Sequence, residues 1–123
     1  MINSIKLIGN VASPYTRKMV AYLRYKRIPY EVIWGQPEDV LKKMNIEPPK
    51  PILLPVFILD RDGQATAVTD STPLIREFEE KYSDRSVLPK DPALNFINFI
   101  LEDFGDEWCT KFMFHYRWHF DED

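Results

Sequence analysis

The chain has 123 residues, enough for one domain, with 45% apolar and 28% charged residues and a net charge of −3. That balance excludes a disordered, collagenous or disulfide-scaffold chain, and it gives no general electrostatic reason to seek phosphate backbones, so nucleic-acid binding is not expected. A single cysteine, Cys109, no apolar run near the about 18 residues of a membrane span, and no basic-then-apolar leader in residues 1–8 together point to a cytoplasmic protein without a membrane partner.

Residues 5–8 form a short apolar run bounded by Gly9-Asn10 and read as a first strand. Ser13-Pro14 opens a helix, since serine is a favoured N-cap and proline suits the first helical position. Met19, Val20, Tyr22 and Leu23 give this helix an apolar face, and Arg24, Lys26 and Arg27 put positive charge in its last turns, which suits the helix dipole. Pro29 ends it. Residues 30–34 alternate as a second strand, and residues 37–44 form a short helix with Val40, Leu41 and Met44 inward. Pro48, Pro49 and Pro51 make residues 47–51 extended and stiff.

Residues 55–59 read as a third strand, Asp60-Arg61-Asp62-Gly63 as a turn, and residues 65–68 as a fourth strand, hairpin-paired to the third. Asp70-Ser71-Thr72-Pro73 starts another helix, with Leu74, Ile75, Phe78 and Tyr82 as its inner stripe. The order β-α-β-α-β-β-α is that of an α/β domain, a mixed sheet with helices on its faces. We take the domain to cover residues 1–83, with a linker over residues 84–92 and a helix over residues 93–123.

That last helix is unusually greasy. Phe96, Ile100, Phe104, Trp108, Phe112, Tyr116 and Phe120 recur every four residues, and Ile97 and Leu101 widen the stripe. Nine of the seventeen aromatic residues lie between Phe96 and Phe120. Such a helix must bury more than one narrow face, so either more chain or a second subunit is expected to cover it; the alternative is a helix folded back on its own domain. Gly105 is expected to bend or interrupt it. Cys109 reads as a buried apolar residue. Asp121-Glu122-Asp123 reads as a frayed, solvated end. His115 and His119, four apart on one face, have the spacing of a metal pair, but no third ligand follows and no metal is expected.

Three places carry chemistry: Ser13-Pro14-Tyr15-Thr16-Arg17-Lys18 at the first strand-to-helix turn, Leu53-Leu54-Pro55-Val56-Phe57 leading the third strand, and Asp70-Ser71-Thr72-Pro73-Leu74-Ile75 at the next helix start. In order and spacing these pieces resemble the N-terminal, thioredoxin-like domain of soluble glutathione S-transferases. The tail Glu102-Asp103-Phe104-Gly105-Asp106-Glu107-Trp108 is similar to the start of that family's all-helical second domain, which would make this chain a fragment or a shortened form.

The resemblance implies that Ser13 donates a hydrogen bond to the glutathione sulfur. Only the thiolate attacks, and a hydroxyl donor at a helix N-terminus favours the anion. Ser13 is also explained as a plain N-cap, and the two roles are compatible. Pro55 resembles the family's cis-proline, which would turn the backbone of Leu54 outward to pair with the cysteinyl part of glutathione, as an added strand does. A proline that merely begins an edge strand is the alternative. Asp70 and Ser71 match an acidic residue followed by serine. There the serine holds the γ-glutamyl carboxylate and the acid meets the amino group, though an N-cap pair without a ligand has the same residues. Arg17 is either a steering charge or a solvated helix residue, and Lys50 is a weaker candidate for the glycyl carboxylate.

Thioredoxins and glutaredoxins share this element order but need cysteine where Ser13 and Thr16 stand, so disulfide exchange at this turn is excluded. The resemblance therefore implies an enzyme, poorly active without its helical half, that uses glutathione as co-substrate against an electrophile and works as a homodimer. A non-catalytic protein-interaction module is the alternative, and a glutathione-dependent peroxidase or isomerase a third reading.

Overall fold

The computed structural model describes residues 5–120. Residues 1–4 and the charged end at residues 121–123 lie outside the described residues. The elements run β1 (Ile5–Gly9), α1 (Pro14–Lys26), β2 (Tyr30–Trp34), α2 (Pro37–Met44), β3 (Val56–Arg61), β4 (Gln64–Val68), α3 (Ser71–Lys81), α4 (Pro92–Asp103), a π-helical segment (Phe104–Trp108) and α5 (Cys109–Trp118). The chain falls into two units that part between Arg85 and Ser86.

The first unit is a mixed four-stranded sheet in the order β2-β1-β3-β4, thioredoxin-like in its element order. β1 runs parallel to β2, with Leu7 opposite Val32, and antiparallel to β3, with Leu7 opposite Phe57. β3 and β4 form the expected hairpin, Arg61 pairing Gln64. Asp62 and Gly63 both have positive φ, at 55° and 81°, and Asp60 Oδ1 accepts from Gly63 N at 2.7 Å. Two central residues in the left-handed region match the right-handed twist of the flanking strands.

β1 is central and apolar on both faces because both are covered. On one face Ile8, Val56 and Ala67 pack with Leu41 of α2, and Val40, Ile33 and Ile58 close around them. On the other, Phe57 meets Phe78 of α3 at 5.7 Å between ring centroids, and Phe78 stacks on Tyr22 of α1 at 6.5 Å. Met19, Leu23 and Leu74 are buried with them. Met44, expected inward, is instead exposed: it is the last residue of α2, beyond the turn that meets the sheet.

Two helix ends are set by residues that take the left-handed conformation. Arg27 (φ 57°) closes α1, its N–H and that of Ile28 returning to Arg24 O and Leu23 O. Asn45 (φ 53°) does the same for α2. α1 therefore ends at Lys26, three residues before Pro29, by its own capping bonds.

Lys26, in the last turn of α1, has a partner that its place in that helix does not announce: its side chain is 0% exposed, 2.9 Å from Glu79 of α3, which is 6% exposed. Lys26 also donates to the Tyr82 carbonyl, and Tyr22 Oη donates to Glu79 at 2.8 Å. The ion pair survives burial because its hydrogen-bonding groups are satisfied on several sides. Burial, then the hydrogen bond to Glu79 and its charge, push the Tyr22 hydroxyl above its ordinary value.

In the second unit the single expected helix is three segments. The break spans Gly105, and the N–H of Cys109 reaches back five residues to Phe104 O, the bond that defines a π turn. Thr110 Oγ1 donates to the Asp106 carbonyl at 3.0 Å and widens the same turn. A Cβ at Gly105 would meet nothing within 4 Å, so lack of room does not explain the glycine. Cys109 is half-buried rather than buried. None of the side chains in these three segments is buried.

Candidate functional site

The β1–α1 turn is pinned by its own polar groups. Ser13 N donates to Asn10 O at 3.1 Å, and Asn10 Oδ1 accepts from Ala12 N at 2.9 Å. Ser13 caps α1, its Oγ accepting from Thr16 N at 3.2 Å. Thr16, 1% exposed, accepts from Asn10 N at 3.3 Å and lies against Gly9. A Cβ on Gly9 would sit 2.5 Å from Thr16 Cγ2, so the turn needs glycine there for close approach. Arg17, weighed as a steering charge, instead donates from Nε to Val11 O at 2.9 Å and holds the turn closed.

The segment before β3 carries two cis peptides, Lys50–Pro51 and Leu54–Pro55. Leu54 is half-buried, Pro55 buried, and Lys50 exposed on the approach to them. Thr69 Oγ1 donates to Leu53 O at 2.7 Å, tying this segment to the residues that lead into α3.

At the start of α3, Asp70 is the N-cap, in the unusual φ of 81°, with Oδ1 accepting from Thr72 N at 3.4 Å. Ser71 is 7% exposed, and its Oγ accepts from Lys18 Nζ of α1 at 3.1 Å. The second turn of α1 and the start of α3 are thus joined directly, and Leu53 and Thr69 join the neighbours of Leu54 and Asp70.

Lys18 and Thr69 were not singled out in the sequence. Lys18 lies five residues after Ser13, which places it about 7.5 Å farther along the helix axis, on a side that spacing alone does not connect to residue 71. A lysine inside a turn already read as functional was the available signal. His115 and His119 stack at 4.7 Å between ring centroids in α5 and its end, and among the described residues no three His, Cys, Asp or Glu side chains gather into a metal group. Among the described residues no helix is long and apolar enough to cross a membrane.

Residues 7–86 match the family described as glutathione S-transferase, N-terminal domain. The chain belongs to the glutathione S-transferase family. Solved relatives agree. A glutathione S-transferase of Methylobacterium radiotolerans, in complex with glutathione sulfonate, is 25% identical with a TM-score of 0.76, covering 98% of this chain and 55% of its own. A glutathione S-transferase of Ceriporiopsis subvermispora, in complex with glutathione, is 28% identical with a TM-score of 0.57, covering 86% and 49%. The Tau class enzyme of mango, Mangifera indica, shares the fold at 24% identity and a TM-score of 0.69, covering 99% and 55%. The chain thus spans about half the length of these transferases. No curated protein matches it.

Proposed function

We propose that this chain is the glutathione-binding half of a glutathione S-transferase, active with glutathione as co-substrate against an electrophile. The observation that carries the proposal is the state of Ser13. Its oxygen already accepts from Thr16 N at the positive end of a 13-residue helix. Its own hydrogen is what it has left to give, and a sulfur anion is the acceptor that a helix N-terminus favours. Ser13 would lower the thiol pKa of bound glutathione and so raise its thiolate fraction at neutral pH. The thiolate forms the bond to carbon of the electrophile, the leaving group departs with its electron pair, and the thiol proton passes to solvent.

The other groups would fix the tripeptide. The backbone of Leu54, ahead of Pro55, pairs with the cysteinyl unit; Asp70 meets the γ-glutamyl amino group, and Ser71 its carboxylate. The glutathione sulfonate complex of the Methylobacterium transferase and the glutathione complex of the Ceriporiopsis transferase support that ligand here. In domain terms residues 1–83 form the glutathione domain, 84–92 the linker and 93–123 the first helical piece of the electrophile half. A reducing compartment, the cytoplasm, fits a lone cysteine and a thiol co-substrate.

The test is calorimetric titration of the chain with glutathione, paired with the ultraviolet absorbance of the bound thiolate. Ser71→Ala is expected to weaken binding about tenfold, in line with ~1–2 kcal/mol for a lost hydrogen bond to a charged group. Ser13→Ala is expected to leave affinity within about threefold and to abolish the thiolate signal at neutral pH. Absence of binding at millimolar glutathione would instead favour the interaction-module reading, which one observation supports: the apolar side chains of α4 and α5 are largely exposed, Phe96 at 64% and Trp118 at 70%. A homodimer built on that surface is compatible with either reading.

A further inference from the structure

We propose that His115 and His119 form a chelating site for a divalent transition metal of the nickel or copper kind, at the C-terminal end of α5. The site is separate from the groups assigned to glutathione and does not depend on that reading. Four residues apart, the two histidines share one face of the helix. The last turn of α5 holds them at that spacing, because His119 N donates to the His115 carbonyl at 3.0 Å. Their side chains have not turned apart: the ring centroids lie 4.7 Å from each other and the planes differ by 22°. Both residues are exposed, so a hydrated cation can reach them.

That separation has a chemical meaning. A metal bound at about 2.0–2.1 Å from a nitrogen of each ring sits roughly 3.2 Å from each ring centre; two rings at right angles around it then have centres roughly 4.5 Å apart, and tetrahedral donors hold them roughly 5.2 Å apart. The observed 4.7 Å is nearer the right-angle value. Right-angle nitrogen donors suit the tetragonal geometry of copper(II) and nickel(II), and imidazole is a ligand for both. A chelate needs two protein donors, and water fills the other positions. The place also favours a cation, since the C-terminal end of a helix carries partial negative charge. Lys111, one turn earlier, has its ammonium over the Trp108 ring, 4.3 Å from the centroid and on the side away from the pair. Arg117 lies two residues from each histidine, a spacing that does not face either. Tyr116 meets His115 edge-on at 5.2 Å and Phe120 meets His119 edge-on at 5.1 Å, which limits how far the imidazoles can swing apart. An aromatic cluster without a ligand has the same contacts, and a titration separates the two.

The experiment is calorimetric titration of the 123-residue chain, carrying no polyhistidine tag, with nickel chloride alone. Nuclear magnetic resonance of the histidine ring protons follows the same titration. The expected result is one nickel ion per chain and paramagnetic broadening of both rings. Chelation makes the second bond intramolecular, so His115→Gln and His119→Gln should each weaken binding about tenfold or more, and the double variant should lose little beyond either. Glutamine is a good helix former, so these exposed substitutions keep α5. Cys109→Ser should bind nickel as the unsubstituted chain does. Undiminished binding in the double variant would overturn the inference. So would a loss in only one single variant, which leaves a lone surface imidazole, or a loss in Cys109→Ser, which moves the metal to the thiol. Zinc chloride binding more tightly than nickel chloride would overturn the right-angle assignment. Failure of the chain to bind glutathione would sink the functional reading above and leave this site standing.

Discussion

Gly9 and Thr16 show how little room the first turn has. The position that a Cβ on Gly9 would take lies 2.5 Å from Thr16 Cγ2 and 3.1 Å from its Oγ1. Thr16 is buried and β-branched, so it has few rotamers in which to retreat. Gly9→Ala is expected to destabilise the chain by about 1–3 kcal/mol, the usual penalty for overpacking. Thr16→Ser removes the clashing methyl and keeps the oxygen that accepts from Asn10 N, so Gly9→Ala/Thr16→Ser should recover at least half of the loss. Urea unfolding of the three variants measures it, and a double variant no more stable than Gly9→Ala would place the strain elsewhere. Tyr22 gives a pH signature. Its folded-state hydroxyl is held above the ordinary value of 10.0, chiefly by burial. The sign follows: the contribution is complete below pH 10 and falls as pH rises, because the unfolded tyrosine ionises first. Stability should drop by about 1.4 kcal/mol by pH 11 from this group alone. Tyr22→Phe should show a correspondingly shallower decline, and parallel curves would assign the alkaline loss to other groups.

At the scale of elements, α1 and α3 are joined twice, by Lys18–Ser71 near the proposed site and by Lys26–Glu79 deep against the sheet. Removing one charge of the buried pair leaves the other without its counter-ion, so Lys26→Met should cost about 3–5 kcal/mol. Lys26→Met/Glu79→Gln removes both charges and keeps an acceptor for Tyr22, and should lose less than half as much. Thermal melts that rank the double variant below the single would contradict the pair's role. This lock also shows where the sequence stops being legible. The order β-α-β-α-β-β-α followed from apolar period and turn chemistry, and β2 and α2 begin and end where local residues say. Lys26 did not, because its partner lies 53 residues away and nothing local distinguishes a buried lysine from a solvated one. The same separation hid Lys18, whose partner Ser71 was read as a carboxylate holder or a cap. Arg27 and Asn45 were hidden differently, as non-glycine residues in a conformation that glycine usually supplies. In the tail, the four-residue apolar repeat announced a helix but not its π turn, since one extra residue per turn leaves every side chain type unchanged.

For the whole molecule the asymmetry between the two units decides what each contributes. Among the described residues every buried apolar side chain lies between Ile5 and Phe78, while α4, the π-helical segment and α5 have none. The first unit therefore holds its own core. A chain ending at Arg85 should unfold in urea with a midpoint close to that of the 123-residue chain, within about 1 kcal/mol in stability. Association should behave in the opposite way. Exposed Phe96, Leu101, Tyr116 and Trp118 present more apolar surface than a soluble monomer ordinarily leaves in water, so the longer chain should sediment with a concentration-dependent mass and the shorter one as a monomer. Both quantities come from the same pair of proteins. A truncated chain that loses most of its stability would mean that the helical unit supports the sheet domain, and one that still self-associates would move the contact surface from the tail to the sheet.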